Sequence, residues 1–394
     1  MKRRIKTAVI GLGGRGLYFA KMYSGEDHPG FKLTAVCDKD PGCLVKVRNR
    51  FGESISYYDD MHTMLAEADV DAVIVATNDP DHVAPTIAAL EAGKHVMVEK
   101  PLCQTVEDAK AMIAMANTAP GIFMIGFELR EVSVFRRMKQ LLDDGRIGEV
   151  KIGHAFDNVS VGGNYFFHDP RKQRAFYKSL LLQKASHSLD LLNWFMNSDP
   201  IKIYGIGGLD FYGGKEDPKL RCRDCSKYDQ CPYAVDYRGF HMDYDAVIEK
   251  EDYCVWSRAM DLDDNSELCI SYANGGKATF HECHFTPEYS REFWLTGTKG
   301  KLYGYYDNPG HFLIRIEDSY TSERRTEELR PPYEGGGHGG GDPNLREEFH
   351  RRIVENDPPL EAIASAYYST ALAICAEESI ETGLPVKIPP LTEL

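Results

Sequence analysis

The segment Gly11-Leu12-Gly13-Gly14-Arg15-Gly16 restricts the fold of this chain more than any other. It follows the apolar run Ile5–Ile10 and precedes a helical pattern over 17–23, so its glycines stand at a strand-to-helix turn. Glycine at the first, third and last positions lets the backbone turn tightly. It also lets amides at the helix N-terminus approach a pyrophosphate. The next strand, 32–37, ends at Asp38, 22 residues beyond Gly16. A carboxylate there reaches adenosine ribose hydroxyls and repels a 2′-phosphate. The two features together predict NAD rather than NADP, with Lys39 offsetting part of the repulsion.

The pattern then repeats. Strands at 72–76 and 95–98 are almost wholly apolar, as strands covered on both faces should be. Helices are expected at Pro41–Phe51, 82–92 and 105–117, and a further strand at 122–126. This βα alternation predicts a doubly wound parallel Rossmann sheet. After Glu149, strands at 151–156, 202–207, 267–272, 276–281, 292–296 and 301–306 follow one another across short turns. They predict an open, mostly antiparallel sheet in a second α/β domain, with helices at 135–143, 187–195, 344–354 and 362–382. A chain of 394 residues suits two domains. The expected division is a dinucleotide-binding domain at 1–130 and a second α/β domain at 131–394, with a cysteine-rich insertion at about 215–255.

With 60 acidic against 46 basic residues the net charge is −14, which argues against nucleic acid or an anionic membrane as partner. No apolar run approaches the roughly 18 residues of a membrane span. The basic opening residues lack the apolar stretch of a secretion signal, so a cytoplasmic location is expected and most of the ten cysteines read as reduced.

Two places concentrate chemistry. Glu99-Lys100-Pro101 stands at a strand's carboxyl end, where open α/β sheets bind ligands. Pro101 confines Lys100 to extended backbone, and a lysine so placed can donate to a substrate hydroxyl, although on spacing alone a solvent-exposed lysine before a turn is the plainer reading. Residues 180–192 read as a helix opening on which Lys184 and His187 share a side. His187 is the best-suited general base in the chain, because imidazole ionises near neutrality and alcohol oxidation requires loss of a carbinol proton. Tyr165, His168, Tyr177 and Lys178 lie in an aromatic, donor-rich stretch suited to a sugar, and Glu128 and Arg130 lie at the domain junction. The glycine-rich run 335–341 either brings His338 to the substrate or is a plain surface loop.

Gly11–Gly16, Ala76-Thr77-Asn78 with Pro80 and His82, Glu99-Lys100-Pro101 and Ser186-His187-Ser188-Leu189-Asp190 occur here in one order. That set resembles the glucose–fructose oxidoreductase, inositol dehydrogenase and rhizopine catabolism (Gfo/Idh/MocA) family, over most of the chain. The resemblance implies a Rossmann domain followed by an α/β domain whose open sheet forms a subunit interface, hence a homo-oligomeric dimer or tetramer. It implies NAD(P)-dependent oxidation or reduction of a sugar, sugar derivative or polyol at a carbinol carbon. It implies cofactor contacts for Gly11, Gly13, Gly14, Arg15, Gly16, Asp38, Thr77, Asn78, His82, Glu99 and Lys100, catalysis by Lys100 and His187, and substrate contacts for Arg130, Tyr165, His168, Tyr177, Lys178 and His338. Many relatives carry an acidic residue four before the histidine. Gln183 stands there instead, and Lys184 follows it, so the chain resembles a Lys-x-x-His branch in which Lys184 is an added active-site cation. A minority of the family hydrolyse glycosides with bound NAD through transient oxidation, elimination, water addition and re-reduction. That is the alternative activity. A non-catalytic NAD sensor is disfavoured by the presence of both Lys100 and His187.

Cys222-x2-Cys225-x5-Cys231, with Cys254 or His241 as a fourth ligand, is spaced for a structural zinc or an iron–sulfur cluster. The plain alternative is reduced loop thiols or one local disulfide.

Overall fold

Short apolar runs make the first sheet: β1 (Ile5–Ile10), β2 (Phe31–Cys37), β3 (Ser56–Tyr58), β4 (Ala72–Val75), β5 (His95–Glu99) and β6 (Phe123–Gly126). The computed structural model describes residues 4–24, 29–160, 165–236, 251–307, 310–330 and 337–391. It pairs these strands in parallel in the order β3-β2-β1-β4-β5-β6, the doubly wound Rossmann order. All residues of β4 and β6 are buried, as central strands between helical layers must be. Capping side chains start the helices: Asp40 accepts from the Gly42 N–H, Asp60 from the Thr63 N–H and Thr105 from the Asp108 N–H. The order in which strands are added reverses between β1 and β4, with β2 and β3 on one side and β5 and β6 on the other, which opens a crevice at the carboxyl ends of β1 and β4.

The second sheet holds β7 (Val150–Ser160), β8 (Pro200–Gly208), β9 (Asn265–Tyr272), β10 (Lys277–Thr286), β11 (Ser290–Gly297), β12 (Gly300–Asp307), β13 (Phe312–Asp318), β14 (Arg324–Leu329) and β15 (Val386–Lys387). Its order is β14-β13-β12-β11-β7-β10-β9-β8-β15. Only the β7–β10 pair is parallel, an arrangement open to neighbours joined by a long excursion rather than a hairpin. Period-two alternation sorts the faces: in β9, Ser266, Leu268, Ile270 and Tyr272 point inward while Glu267 and Cys269 point out. The inner face takes the helices Ser133–Asp143, Ser186–Met196 and Leu360–Thr382. The last of these also packs on β6 and on the helix Val106–Thr118, so one apolar core runs from Val98 and Ile125 to Ile270 and Phe293.

Several elements differ from the sequence reading: the short strands β3 and β15 and the helix Met61–Glu67 were not expected. The edge strand β14 has the composition Arg-Arg-Thr-Glu-Glu-Leu, which carries no apolar alternation to read. β13 was likewise not expected, although Phe312, Ile314 and Ile316 do alternate inward. The helix expected over 180–192 is two helices, Leu180–Gln183 and Ser186–Met196, with Lys184 at the break. Ser179 caps the first by accepting from the Leu182 N–H.

Candidate active site

The glycine turn is held by packing on one side and left open on the other. Gly11 has φ +87°, and a Cβ there would stand 2.6 Å from the Thr77 nitrogen. A Cβ on Gly16 would stand 1.8 Å from the Gly11 carbonyl oxygen. A Cβ on Gly13 would meet nothing within 4 Å. Gly13 caps the helix Gly14–Met22, so the open side faces amides at a helix N-terminus, the geometry a pyrophosphate requires. Asp38 accepts from the Leu12 N–H at 2.6 Å and from the Asp40 N–H at 2.8 Å, fixing the turn from the end of β2. Lys39 turns to Asp81 instead, 3.4 Å away. These residues fit an adenine dinucleotide.

A second set of groups gathers at the carboxyl end of β5. Glu99 accepts from Arg15, at 2.6 Å to Nη2, and from the backbone N–H of Lys100. The same Arg15 nitrogen donates to Asp342 at 2.7 Å, tying the glycine turn to the helix Gly341–Glu355. Lys100 Nζ donates to the Gln183 carbonyl at 3.0 Å, which brings the first domain's lysine to the break that carries Lys184. Burial, with Lys184 nearby, lowers the Lys100 pKa against the pull of Asp79, Glu99 and Glu128. His187 Nε2 lies 3.4 Å from Glu128 Oε1. Burial lowers the His187 pKa well below its ordinary value, and Lys100, Arg291, Lys184 and His338 add to that, so the ring is neutral at pH 7. Glu128 is pushed up, chiefly by burial. His338 is pulled the other way: burial would lower it, but Glu128 and Asp342 raise it, and its Nδ1 donates to Asp342 at 2.9 Å. Among the described residues, His187 Nδ1, Ser186 Oγ, Gln183 Oε1 and both Glu128 oxygens are buried with no hydrogen-bond partner. Such a concentration of unsatisfied polar atoms is what a ligand site leaves when described without its ligand.

Lys184 Nζ donates to the Tyr289 hydroxyl at 2.9 Å, and so does Arg291 Nη1, also at 2.9 Å. Arg291 is 1% exposed, donates to Ser188 at 3.0 Å and lies 3.3 Å from Asp157. Sequence reasoning missed Tyr289, Arg291 and Asp157. The available signal was a charged residue at an inward position of an alternating strand.

Several expected contacts lead elsewhere. The His82 ring is 1% exposed, with Nδ1 2.7 Å from the Pro101 carbonyl and Nε2 3.3 Å from the Thr77 carbonyl. It straps the loops after β4 and β5 together, with both ring nitrogens turned to backbone carbonyls. Thr77 Oγ1 donates to Asp81 O, and Asn78 accepts from Arg171. Arg130 is spent on a bidentate pair with Asp190, at 2.7 and 3.0 Å, and stacks over Trp194, which makes it a strut between the junction and the helix Ser186–Met196. Lys178 donates to the Gln104 carbonyl, and Tyr177 packs against Phe166. Tyr165 opens the short helix Tyr165–His168, and its side chain lies outside the described residues.

His168 belongs to the cysteine-bearing insertion. Its Nδ1 donates to the Tyr253 carbonyl at 2.6 Å, and Cys222 Sγ lies 3.9 Å away. Cys222, Cys225, Cys231 and Cys254 line one cavity of about 340 Å³ with it. Burial raises the Cys222 and Cys254 pKa values and favours their neutral thiols. Among the described residues no group of three or more His, Cys, Asp or Glu is placed to hold a metal ion, so the zinc expected here finds no site. His241 lies outside the described residues. Among the described residues, no helix is long and apolar enough to cross a membrane.

A parallel sheet in this order, an open glycine turn at its first strand and a half-buried lysine meeting the second domain define an NAD(P)-dependent oxidoreductase. The chain belongs to the Gfo/Idh/MocA family. Residues 5–127 match its oxidoreductase, NAD-binding Rossmann-fold model, and residues 135–303 match its C-terminal domain. It is 25% identical over 359 residues to YteT of Bacillus subtilis (strain 168), covering 81% of this chain and 82% of that protein. It is 27% identical over 220 residues to inositol 2-dehydrogenase of Salmonella typhimurium (strain LT2), covering 55% of this chain and 62% of that one. The fold is similar to levoglucosan dehydrogenase in complex with NADH and levoglucosan, with TM-score 0.74, 19% identity, and 98% and 100% of the two chains covered.

Proposed function

We propose that this protein transfers hydride between NAD and a carbinol carbon of a sugar, sugar derivative or polyol. The observation that carries the reading is the convergence of Lys100 with the Lys184–His187 break, through the Lys100–Gln183 hydrogen bond. Relatives named inositol 2-dehydrogenase and levoglucosan dehydrogenase point to the same substrate class. The turn Gly11–Gly16 holds the pyrophosphate and Asp38 the adenosine ribose, which favours NAD. The cofactor supplies the hydride acceptor. Lys100, made more acidic by burial, donates to the carbinol oxygen, while Lys184 and the neutral His187 bind the ring's hydroxyls. Burial of these groups excludes water, which strengthens each polar contact with the substrate.

The test is nicotinamide absorbance with myo-inositol, scyllo-inositol, levoglucosan and common hexoses as substrates. Net NADH formation with at least one of them is expected. Cleavage of aryl glycosides without added cofactor or net NADH would replace this reading with the redox-neutral hydrolase.

The outer face of the second sheet exposes Ile152, Ile201, Tyr204, Ile206 and Trp294. A face this apolar supports assembly of a dimer or tetramer through that sheet, which sedimentation of the parent and of Trp294→Arg measures.

A further inference from the structure

We propose that Tyr289, held by Lys184 and Arg291, is the group that takes the substrate's hydroxyl proton, in place of His187. The inference rests on the hydride-transfer reading and deepens it.

The geometry is specific. The Tyr289 oxygen accepts two hydrogen bonds, each 2.9 Å long and each from a cationic donor. Two such donors favour the phenolate, and a phenolate oxygen keeps a further lone pair for a substrate hydroxyl. The residue is half-buried at the entrance to β11, so one edge remains reachable. Its surroundings are fixed from every side: Lys184 from the helix break, Arg291 from β11 and Asp157 from β7. Tyr306 from β12 is close enough to interact with it electrostatically. Asp157 opposes ionisation but is engaged with Arg291 and accepts from Ser188 at 2.7 Å. Burial alone would raise the Tyr289 pKa, yet Arg291 and Lys184 outweigh it and bring the phenol down to about 8.

His187 compares poorly as a base. Its pKa is driven well below the ordinary value by burial and by four neighbouring cationic groups. A base is most effective when its pKa lies near the working pH, which the phenol meets and the imidazole does not. In the oxidative direction the substrate O–H bond breaks and its proton goes to the Tyr289 phenolate. The carbinol C–H pair leaves as hydride for NAD, and a carbon–oxygen double bond forms. The phenol then returns its proton to solvent. This also accounts for Lys184 in a position flanking the expected acidic residue: a cation is the partner a phenolate requires.

The test is ultraviolet difference titration of the cofactor-free chain, which needs no substrate. Its failure therefore speaks to Tyr289 alone, while absence of turnover speaks to the proposed function. Of 22 tyrosines, one should ionise with a midpoint of about 8. That component should vanish in Tyr289→Phe and move up by about one to three pH units in Lys184→Met. Tyrosines that all titrate near the ordinary value of about 10 would overturn the proposal, as would a component of low midpoint surviving in Tyr289→Phe. With a responsive substrate, kcat/KM for oxidation should rise with pH along the same midpoint. Tyr289→Phe should lose that limb and about 10²- to 10⁴-fold in rate. A Tyr289→Phe enzyme keeping both the limb and the rate assigns the proton to another group.

Discussion

In the glycine turn, every atom that would meet the cofactor comes from one short stretch and the next strand end. In the proposed substrate cluster, Lys100, Lys184, His187, Tyr289 and Arg291 come from the end of β5, a helix break, the helix after it and the entrance to β11. The first region works through backbone: a Cβ at Gly16 would stand 1.8 Å from a carbonyl oxygen, while one at Gly13 would meet nothing within 4 Å and project only into the open side. The second works through charge, and its side chains alter one another's proton affinities across the domain junction. A local region should therefore fail by steric change at one residue, and an assembled one by removal of any partner.

The largest effects should come from the assembled cluster. Lys100→Ala should lower turnover about 10²- to 10³-fold, as loss of a donor to the charge developing on the carbinol oxygen does. Its NAD affinity should stay near the parent's. His187→Ala should cost only about tenfold, the loss of one substrate hydrogen bond. Single-turnover nicotinamide absorbance beside cofactor titration measures both. Equal losses in the two variants would return the proton to His187.

Next comes the strut that joins the two regions. Arg130 and Asp190 are nearly buried, at 10% and 1% side-chain exposure, and Ser365 also donates to Asp190. Arg130→Ala leaves that carboxylate uncompensated and should destabilise the fold by about 3–5 kcal/mol in denaturant unfolding. A cost near zero would mean the two halves are held by the apolar core alone.

The glycine turn sharpens the contrast. Gly16→Ala should cost about 1–3 kcal/mol of stability, because the added methyl overlaps the Gly11 carbonyl. Gly13→Ala should leave the melting temperature unchanged and weaken NAD binding, because its Cβ occupies only the open side. If Gly13→Ala binds NAD as the parent does, the dinucleotide does not lie against that turn.

The smallest effect lies outside both regions. Arg351 and Arg352 hydrogen-bond Glu348 and bring its pKa down to about 2 from 4.5. A depressed carboxylate stabilises the fold above its ordinary pKa, and that contribution is lost as pH falls from 4.5 through about 2. Glu348→Gln should cost less than about 1 kcal/mol at pH 7 and flatten this acid-side decline, as a partly exposed pair should.

The legible part of the molecule follows the same division. Strands β1, β2, β4, β5 and β6 and the glycine turn were readable, because an apolar run bounded by a glycine turn is a contiguous signal. Lys100, Lys184 and His187 were named through motif and family resemblance, and the structure brings Lys100 to the break that carries Lys184. Three substrate expectations, Arg130, His168 and Lys178, follow from chemically suitable side chains whose partners are distant in sequence. Asp190, Tyr253 and Gln104 occupy them instead. The four thiols do line one cavity, but among the described residues no group of three or more is placed to hold a metal ion.

The sequence by itself determined the doubly wound first sheet, the dinucleotide turn and the antiparallel character of the second half. These depend on hydrophobic period and on glycine's freedom of backbone, which are properties of neighbouring residues. Tertiary structure alone decided that Lys184 sits at a helix break, that Arg130 is a strut and His82 a strap, and that a phenol lies between two cations. Proton affinities decay over a few ångströms of low-dielectric interior. They are set by whichever distant residues the fold brings within that range.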